Sequence, residues 1–463
     1  MKYFVTGMPY SHLVRRFWWA CAVLAVSADV RAGGLIVSPR TVGRAGTGMV
    51  GDDGCGALQV NPAAMARREG KRAQVGVAFV DDEIAWQSDT AGAPIARDQA
   101  SSTLAPFAVA IGSTGPWVIA LGAMTSGVSN RSLRRPSDLP PDQVREAGAA
   151  FDFRYMGIAG SLRRDTVTAG VARRLGDSVA VGVSLAASRI AVTELRRMWA
   201  GFADITDVGD PIRDIELAFS GSDRFVPSAV AGVLFAPADG SLELGASLAI
   251  SGDAHISADV AGTNGGGAQQ IVVGSGAAAR LDVPQPWVAR GGARYLGRRF
   301  ALELGGEVAT LPDAARTASW RVSNTMVIDS SGKDVPLTSV PSRVSERTYG
   351  SIRAALDGEL IAGFLWATAG YAYSIGGVSS VRQSPIFGDL GGHTLAAGLE
   401  GSAGGMLFTF GWSRTWSITT HTDSELRLDN PFNAGDRNVA SGSYDGSVDQ
   451  IGILLDVELD PAP

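Results

Sequence analysis

The sequence predicts an all-β fold, a 14-stranded antiparallel transmembrane β-barrel with an N-terminal hatch that plugs the lumen. Three observations predict it: an N-terminal signal peptide, period-two alternation of apolar and polar residues, and alternation of short and long connections. The composition agrees, with 59 glycines among 463 residues, 19% charged residues and a net charge of −6. Past the first thirty or so positions, no apolar run approaches the roughly 18 residues of a spanning helix. The mild acidity and the lack of a Lys/Arg cluster argue against a nucleic-acid partner.

Residues 1–32 have the three parts of a secretory signal peptide. Arg15 and Arg16 precede a short apolar core at 17–26, and Val30-Arg31-Ala32 resembles a small-residue cleavage site. That core is too short to span a membrane as an anchor helix. We therefore expect export and cleavage, which would leave Cys55 as the only cysteine of the mature chain.

Alternation of side-chain character is the main evidence for strands. In Leu242–Ser251 the even positions are apolar and the odd positions are polar or small, and 406–416 and 450–459 alternate in the same way. Successive side chains of a strand point to opposite faces, so each of these segments has one apolar face. In a membrane barrel that face meets lipid and the other lines the lumen.

The connections distinguish a membrane barrel from a soluble sandwich, because outer-membrane barrels have short turns at one end and long loops at the other. Short and long connections alternate along this chain and together join fourteen strands between 71 and 463. The predicted short turns lie near 113–116, 176–177, 237–240, 297–298, 357–359 and 403–405, and the predicted long connections near 88–102, 131–152, 194–225, 260–280, 313–346, 379–391 and 419–447.

Residues 33–70 precede the first predicted strand and alternate too little to form barrel wall. Six glycines between 43 and 56 suit a compact irregular segment. A barrel of this width has room inside for such a segment, so we expect 33–70 to form a hatch in the lumen.

Three short motifs in this segment resemble a known family. Gly43-Arg44-Ala45-Gly46-Thr47-Gly48, then Asp52-Asp53, then Asn61-Pro62-Ala63 resemble the hatch of the outer-membrane long-chain fatty acid transporter (FadL-like) family. An isolated Asn61-Pro62 would be no more than a turn. The resemblance covers about thirty residues, and the strand pattern covers the rest.

The resemblance implies passive transport of hydrophobic small molecules, such as fatty acids or aromatic hydrocarbons, across the bacterial outer membrane. In that family ligand collects in an external groove, enters a deeper pocket, and leaves sideways through a kink in the third strand after the hatch moves. The corresponding strand here is about 117–128, where Gly122 and Gly127 are the candidate kink positions. The external loops match no motif, so the substrate stays open. Outer-membrane lipid and the barrel-assembly machinery are the other implied partners, and a monomer is expected.

Two sets of residues are candidates for contacting the ligand. Met198, Trp199 and Phe202 recur at nearly helical spacing in the predicted loop 194–225 and would form a ligand-collecting groove or pack that loop. Arg290, Arg294 and Arg353 fall on lumen faces, together with several acidic residues: Glu243, Glu303, Glu307, Glu400 and Asp456. The three arginines would bind a substrate carboxylate or form ion-pair networks that fill the lumen.

The sequence contains no pattern that indicates an enzyme, a metal site or a cofactor. His12 lies in the signal peptide, and His255, His393 and His421 have no ligand-like spacing. Asp52 and Asp53 suggest bonds to backbone amides or basic groups in the hatch more than catalysis or calcium binding. The alternative function is a structural or surface-receptor barrel whose hatch stays shut.

Overall fold

The structure is a computed structural model that describes residues 38–459 except 91, 134–148, 203–208, 238–239, 265–270, 311–317, 343–347, 435–436 and 440. The predicted signal peptide, 1–32, lies outside the described residues, as do the first residues of the predicted hatch.

Fourteen antiparallel strands form one closed wall, which confirms the predicted fold class. Four of them, β7 to β10, are interrupted and are given as consecutive segments. The strands are β1 (Lys71–Ser88), β2 (Thr103–Thr114), β3 (Trp117–Ser132), β4 (Ala159–Leu175), β5 (Val179–Trp199), β6 (Asp214–Phe235), β7 (Leu242–Ser251 and Ala254–Asn264), β8 (Ile271–Val283 and Trp287–Leu296), β9 (Phe300–Thr310 and Ser319–Ile328), β10 (Asp334–Pro336, Ser339–Pro341 and Tyr349–Ile361), β11 (Leu365–Ile375), β12 (Gly391–Ala403), β13 (Met406–Ser417) and β14 (Gly442–Glu458).

The barrel closes where the first strand pairs with the last. The register of β1 and β14 runs without a shift from Arg72 opposite Glu458 to Ser88 opposite Gly442. Two short strands, Ile95–Arg97 and Thr420–Thr422, add to β1 and β14 outside this wall. Closure removes the free edges that an open sheet would expose in lipid.

The outer face of the wall is apolar over a continuous band, as the alternation predicts. Leu121, Val167 and Leu185 are 60%, 58% and 64% exposed, whereas their chain neighbours are less exposed or buried. Within β13, Phe408 and Phe410 are exposed while Thr409 lies buried in the lumen. Such a face is stable only against a hydrocarbon environment, because it would otherwise present an extended apolar surface to water.

Three of the long connections are shorter than predicted. Much of 194–225, 260–280 and 313–346 is strand that continues the wall beyond the apolar band. There the pattern inverts: Ile256 and Val260 are buried inside the barrel, whereas His255 faces outward. A search for outward-facing apolar residues therefore misses these strand extensions.

One predicted short turn was displaced. The turn expected at 357–359 lies instead after Ile361, because β10 continues to that residue in register with β11. The remaining turns leave the short connections at one end of the barrel and the long connections at the other.

The hatch consists of short helical turns inside the barrel. Helix α1 (Pro39–Val42) begins after Ser38, whose side chain accepts a hydrogen bond from the Thr41 backbone amide, and helix α2 (Ala57–Val60) leads into a 3-10 turn, Pro62–Arg67. No helix in the described ranges is long and apolar enough to cross a membrane.

Candidate functional site: the hatch, the lumen chamber and the wall opening

Small wall residues let the hatch backbone approach the barrel closely. A Cβ on Gly182 would lie 2.5 Å from the Ala63 amide nitrogen, and one on Gly370 would lie 2.5 Å from the Arg44 carbonyl carbon. A glycine of the hatch lies equally close to the wall, since a Cβ on Gly43 would lie 2.9 Å from the Gly398 Cα. These distances are shorter than any normal contact, so the glycines are required by the fit of hatch to wall.

The Asn61-Pro62-Ala63 motif joins the hatch to β6. Asn61 is fully buried; its Nδ2 donates to the carbonyls of Met49 at 3.0 Å and Val233 at 3.2 Å. Its Oδ1 accepts from the Ala63 amide at 3.3 Å, which caps the 3-10 turn. Pro62 occupies the first position of that turn, where a missing N–H costs nothing. The motif therefore forms a turn and also a contact between hatch and wall.

The two hatch aspartates bind hydroxyl, backbone amide and guanidinium groups of the hatch and of β1. Asp52 accepts from the Ser38 hydroxyl at 3.0 Å and the Gly54 amide at 2.9 Å. Asp53 lies among three guanidinium groups, at 2.8 Å from Arg68, 3.3 Å from Arg40 and 3.4 Å from Arg72.

A buried arginine fixes the centre of the hatch. The Arg44 guanidinium lies 2.8 Å from Glu303 and 3.2 Å from Asp357, both on the wall. Glu303 also accepts from the backbone amides of Val50 at 2.8 Å and Gly51 at 3.0 Å. Removing one partner would leave an uncompensated buried charge, so this cluster opposes movement of the hatch.

Each of the three lumen arginines, Arg290, Arg294 and Arg353, takes part in an ion pair. Arg290 lies 2.9 Å from Glu307, and Arg353 contacts the same Glu307 and donates to the Gly46 carbonyl at 3.2 Å. Arg294 lies 3.5 Å from Asp357. Two arginines thus share one glutamate.

A chamber of about 150 Å³ lies above the hatch. Its floor is formed by hatch residues that include Thr41 and Ala45, its wall by β1 and β10 to β14, and part of its roof by the chain at 388–391. Most of the polar wall side chains carry hydroxyl groups: Ser351, Ser374, Thr394, Ser413, Thr415 and Ser417. A second, smaller cavity of about 90 Å³ lies beside α2.

The connection between β11 and β12, residues 376–390, folds over the chamber and is here named the lid. Ile386 and Phe387 are buried in the hydrophobic cluster inside the long-connection end of the barrel. Arg131 of β3 donates to the Gly388 carbonyl at 2.6 Å and lies 2.7 Å from Asp82 of β1. Sequence reasoning missed this ion pair, because the two residues are far apart along the chain.

Backbone pairing between β2 and β3 is interrupted part of the way along the wall, and this unpaired stretch is here named the opening. The two strands pair from Thr114 opposite Trp117 only as far as Phe107 opposite Met124. Beyond Met124, β3 remains paired with β4, and Ser126 is an extra residue between Thr125 and Gly127, where the register shifts. Bulges of this kind bend a strand.

The exposure pattern gives the direction of the bend. Alternation of exposed and buried residues stops after Met124, and each residue from Thr125 to Ser129 is buried. Residues that would face lipid in a regular strand have therefore moved inward. Of the two predicted kink positions, Gly127 adjoins the bulge, whereas Gly122 pairs regularly with Val109 and Thr168.

The helical arrangement predicted for the candidate groove residues was wrong. Met198 and Trp199 end strand β5 and are 2% and 0% exposed, and the Phe202 ring lies 5.1 Å from that of Phe432. Because β5 extends beyond the lipid band, Met198 packs in the same cluster as the lid residue Ile386, and Trp199 packs with Tyr155 and Leu428.

One cluster of possible metal ligands could not be predicted from the spacing of histidines along the chain. Ligand atoms of Asp89, His421 and Asp423 lie within 4.8 Å of one another, all on exposed side chains. The connections near β1 and β14 bring them together, which spacing in the sequence does not show.

Comparisons with known proteins agree on the fold. No family model and no curated protein sequence matches the chain. Among solved structures, a FadL homologue of Pseudomonas aeruginosa is 13% identical with a TM-score of 0.69, covering 94% of this chain and 100% of its own. The Pseudomonas putida toluene transporter TodX is 14% identical at TM-score 0.62 (92% and 98% covered), and the Ralstonia pickettii toluene transporter TbuX is 13% identical at 0.59 (91% and 98%). This chain therefore resembles the FadL homologue and the toluene transporters in fold, over nearly its whole length.

Proposed function

We propose that this chain is a passive channel of the bacterial outer membrane that admits hydrophobic small molecules and releases them sideways into the membrane. The opening between β2 and β3 carries the proposal. A gap at the inward bend of β3 gives an apolar molecule a route from lumen to lipid, so it need not cross the polar hatch. The named activity of the toluene transporters supports a hydrophobic cargo.

The cavity beside α2 connects this opening with the hatch. It is lined by Leu58 and Val60 of the hatch, and by Ser126 at the bulge. A shift of α2 would widen this cavity toward the opening. We propose that ligand entering at the long-connection end displaces the hatch, moves through this cavity and leaves beside Ser126, driven only by its own gradient.

A second candidate function is a structural or surface-receptor barrel without transport. The buried ion pairs of Arg44 with Glu303 and Asp357 favour it, because they hold the hatch against the wall. The two candidates differ in whether ligand crosses the membrane.

Uptake of labelled oleate and labelled toluene by cells that lack their own transporter tests the proposal. We expect uptake with the intact chain, and loss of uptake after deletion of Ser126, which removes the extra residue of the bulge. Ser126→Ala, which keeps the bulge, should retain transport. Absence of uptake of both compounds, with a heat-modifiable barrel in the outer-membrane fraction, would favour the receptor function.

A further inference from the structure

The chamber above the hatch differs from what a pure hydrocarbon or a long acyl chain would need. An apolar cavity of about 150 Å³ in an engineered protein core binds benzene, so the volume of this chamber suits a molecule of single-ring size. A long-chain fatty acid is too large for it. The hydroxyl-rich wall is also unlike an apolar pocket, because a hydrocarbon would leave those groups without new partners.

The strand register places the polar side chains of the chamber in one row. Arg353 lies opposite Ala372, Ala372 opposite Thr394, and Thr394 opposite Thr415, across four neighbouring strands. The row continues to Val448 and Asp82. It therefore has a cation at one end, hydroxyl groups in the middle, and the Asp82–Arg131 ion pair at the other end.

The Arg353 end is suited to a carboxylate. Glu307 is shared by Arg353 and Arg290, so one carboxylate lies between two guanidinium groups here. Ser351 and Ser374 lie directly opposite each other beside it. Among the described residues their hydroxyl groups make long hydrogen bonds, at 3.4 Å to Glu307 and 3.5 Å to the Gly392 carbonyl, so both can turn toward a ligand.

The other end of the chamber has a hydrogen-bond donor that could also serve a ligand. Arg131 is 7% exposed, and its buried Nε has no hydrogen-bond partner among the described residues. Apolar residues between the two ends include Ala45 on the floor and Ala372 and Val448 on the wall. This arrangement offers charged groups at both ends and a middle that combines hydroxyl and apolar groups, which matches a ring that carries oxygen substituents.

We propose that the chamber binds compact single-ring carboxylates, with the carboxylate held by Arg353, Ser351 and Ser374. The proposal rests on the transport function above and names the substrate class that the chamber selects. Charge-assisted hydrogen bonds to a carboxylate supply the selectivity. A hydrocarbon of the same size makes none of them, and a long acyl chain would extend beyond the chamber.

Binding of labelled benzoate to the purified full-length chain in detergent tests this proposal, with toluene as the uncharged probe of equal size. We expect saturable benzoate binding in the intact chain. The double variant Ser351→Ala/Ser374→Ala and the variant Arg353→Met should each weaken benzoate binding about tenfold or more. The serine variant leaves the hatch contact of Arg353 with Gly46 in place, which separates ligand binding from hatch release.

Thr409→Val is the matched control. Thr409 faces the lumen on β13, but it is not among the residues lining the chamber, and its hydroxyl has no hydrogen-bond partner among the described residues. This variant should bind benzoate as the intact chain does. Equal binding by the control and by both chamber variants would overturn the proposal.

Uptake by cells distinguishes the failure of this proposal from the failure of transport. Toluene or oleate uptake without benzoate binding would overturn the substrate class and leave the channel function standing. Benzoate binding without uptake of any compound would support the chamber and contradict transport.

Discussion

Arg163 spans the opening between β2 and β3. From β4 it donates to the Leu104 carbonyl of β2 at 3.2 Å and to the Thr125 hydroxyl of β3 at 2.9 Å. The side chain is 38% exposed, so these bonds together contribute on the order of 1 kcal/mol to the closed wall. One arginine thus replaces the backbone pairs that the two strands lack.

Replacing this arginine should make lateral exit easier. We expect Arg163→Leu to raise the initial rate of uptake about fivefold at low substrate concentration, because about 1 kcal/mol corresponds to that factor. The measurement is labelled toluene uptake by cells. The control is Arg189→Leu, which removes an exposed arginine of β5 whose register partner is Asp165 of β4. An unchanged or lower rate in Arg163→Leu would contradict a bridging role.

Some contacts of the candidate site could be predicted from the sequence, and others could not. Asn61, Asp52 and Asp53 were recognisable because each has a partner in the same motif-bearing segment. Arg163 and Arg131 were not, because each gains its role from a bulge or a lid that joins distant segments. Such roles depend on strand register, and register is not visible in a single strand.

At the scale of elements, the lid depends on a carboxyl group held by the chain itself. Asp389 accepts from the backbone amides of Gly391 at 2.9 Å and Gly377 at 3.4 Å, which folds the ends of the lid together. Burial raises the pKa of Asp389 from 3.8 to about 6, with Arg131 and Asp82 as the charged neighbours. The folded lid therefore binds a proton more readily than the unfolded segment does.

The raised pKa fixes the sign of a pH effect. Between about pH 4 and pH 6 the folded lid holds more protons than the open one, so its stability falls as pH rises through this window. Hydrogen exchange in 376–390, corrected for intrinsic rates, should be roughly tenfold slower at pH 4.5 than at pH 7. Asp389→Asn should remove most of this difference, and an unchanged pH dependence in that variant would show that another group controls the lid.

Elements were predicted most accurately where the membrane imposes the pattern. The count of fourteen strands followed from the alternation of short and long connections between segments with one apolar face. The extensions of β5, β7 and β9 were missed because beyond that band the core of the protein lies inside the barrel, and outward residues such as His255 are polar. Apolar side chains thus avoid water along the whole strand, but they face lipid within the band and the barrel interior beyond it.

At the scale of the whole molecule, the hatch separates two spaces. The chamber lies on one side of α1, with Thr41 and Val42 in its floor, and a cavity of about 820 Å³ lies at the short-turn end, lined by Arg40 and Asp53. Pro39 packs directly against Gly452 of β14, where an added Cβ would lie 2.7 Å from the proline Cβ. Helix α1 therefore lies between the two cavities, with Thr41 and Val42 facing one and Arg40 facing the other.

Deleting residues 38–42 should join these spaces into one water-filled path. In planar bilayers we expect the intact chain to conduct few ions and the deletion to give stable channels, because polar side chains line both cavities. Deletion of the exposed turn 330–332, which lies far from the hatch in the sequence, should leave conductance low. A non-conducting deletion variant that still folds as a barrel would mean that the remaining hatch residues, held by Arg44 and Asn61, are enough to close the lumen. Sideways release through the β2–β3 opening would then be compatible with a hatch that never leaves the barrel.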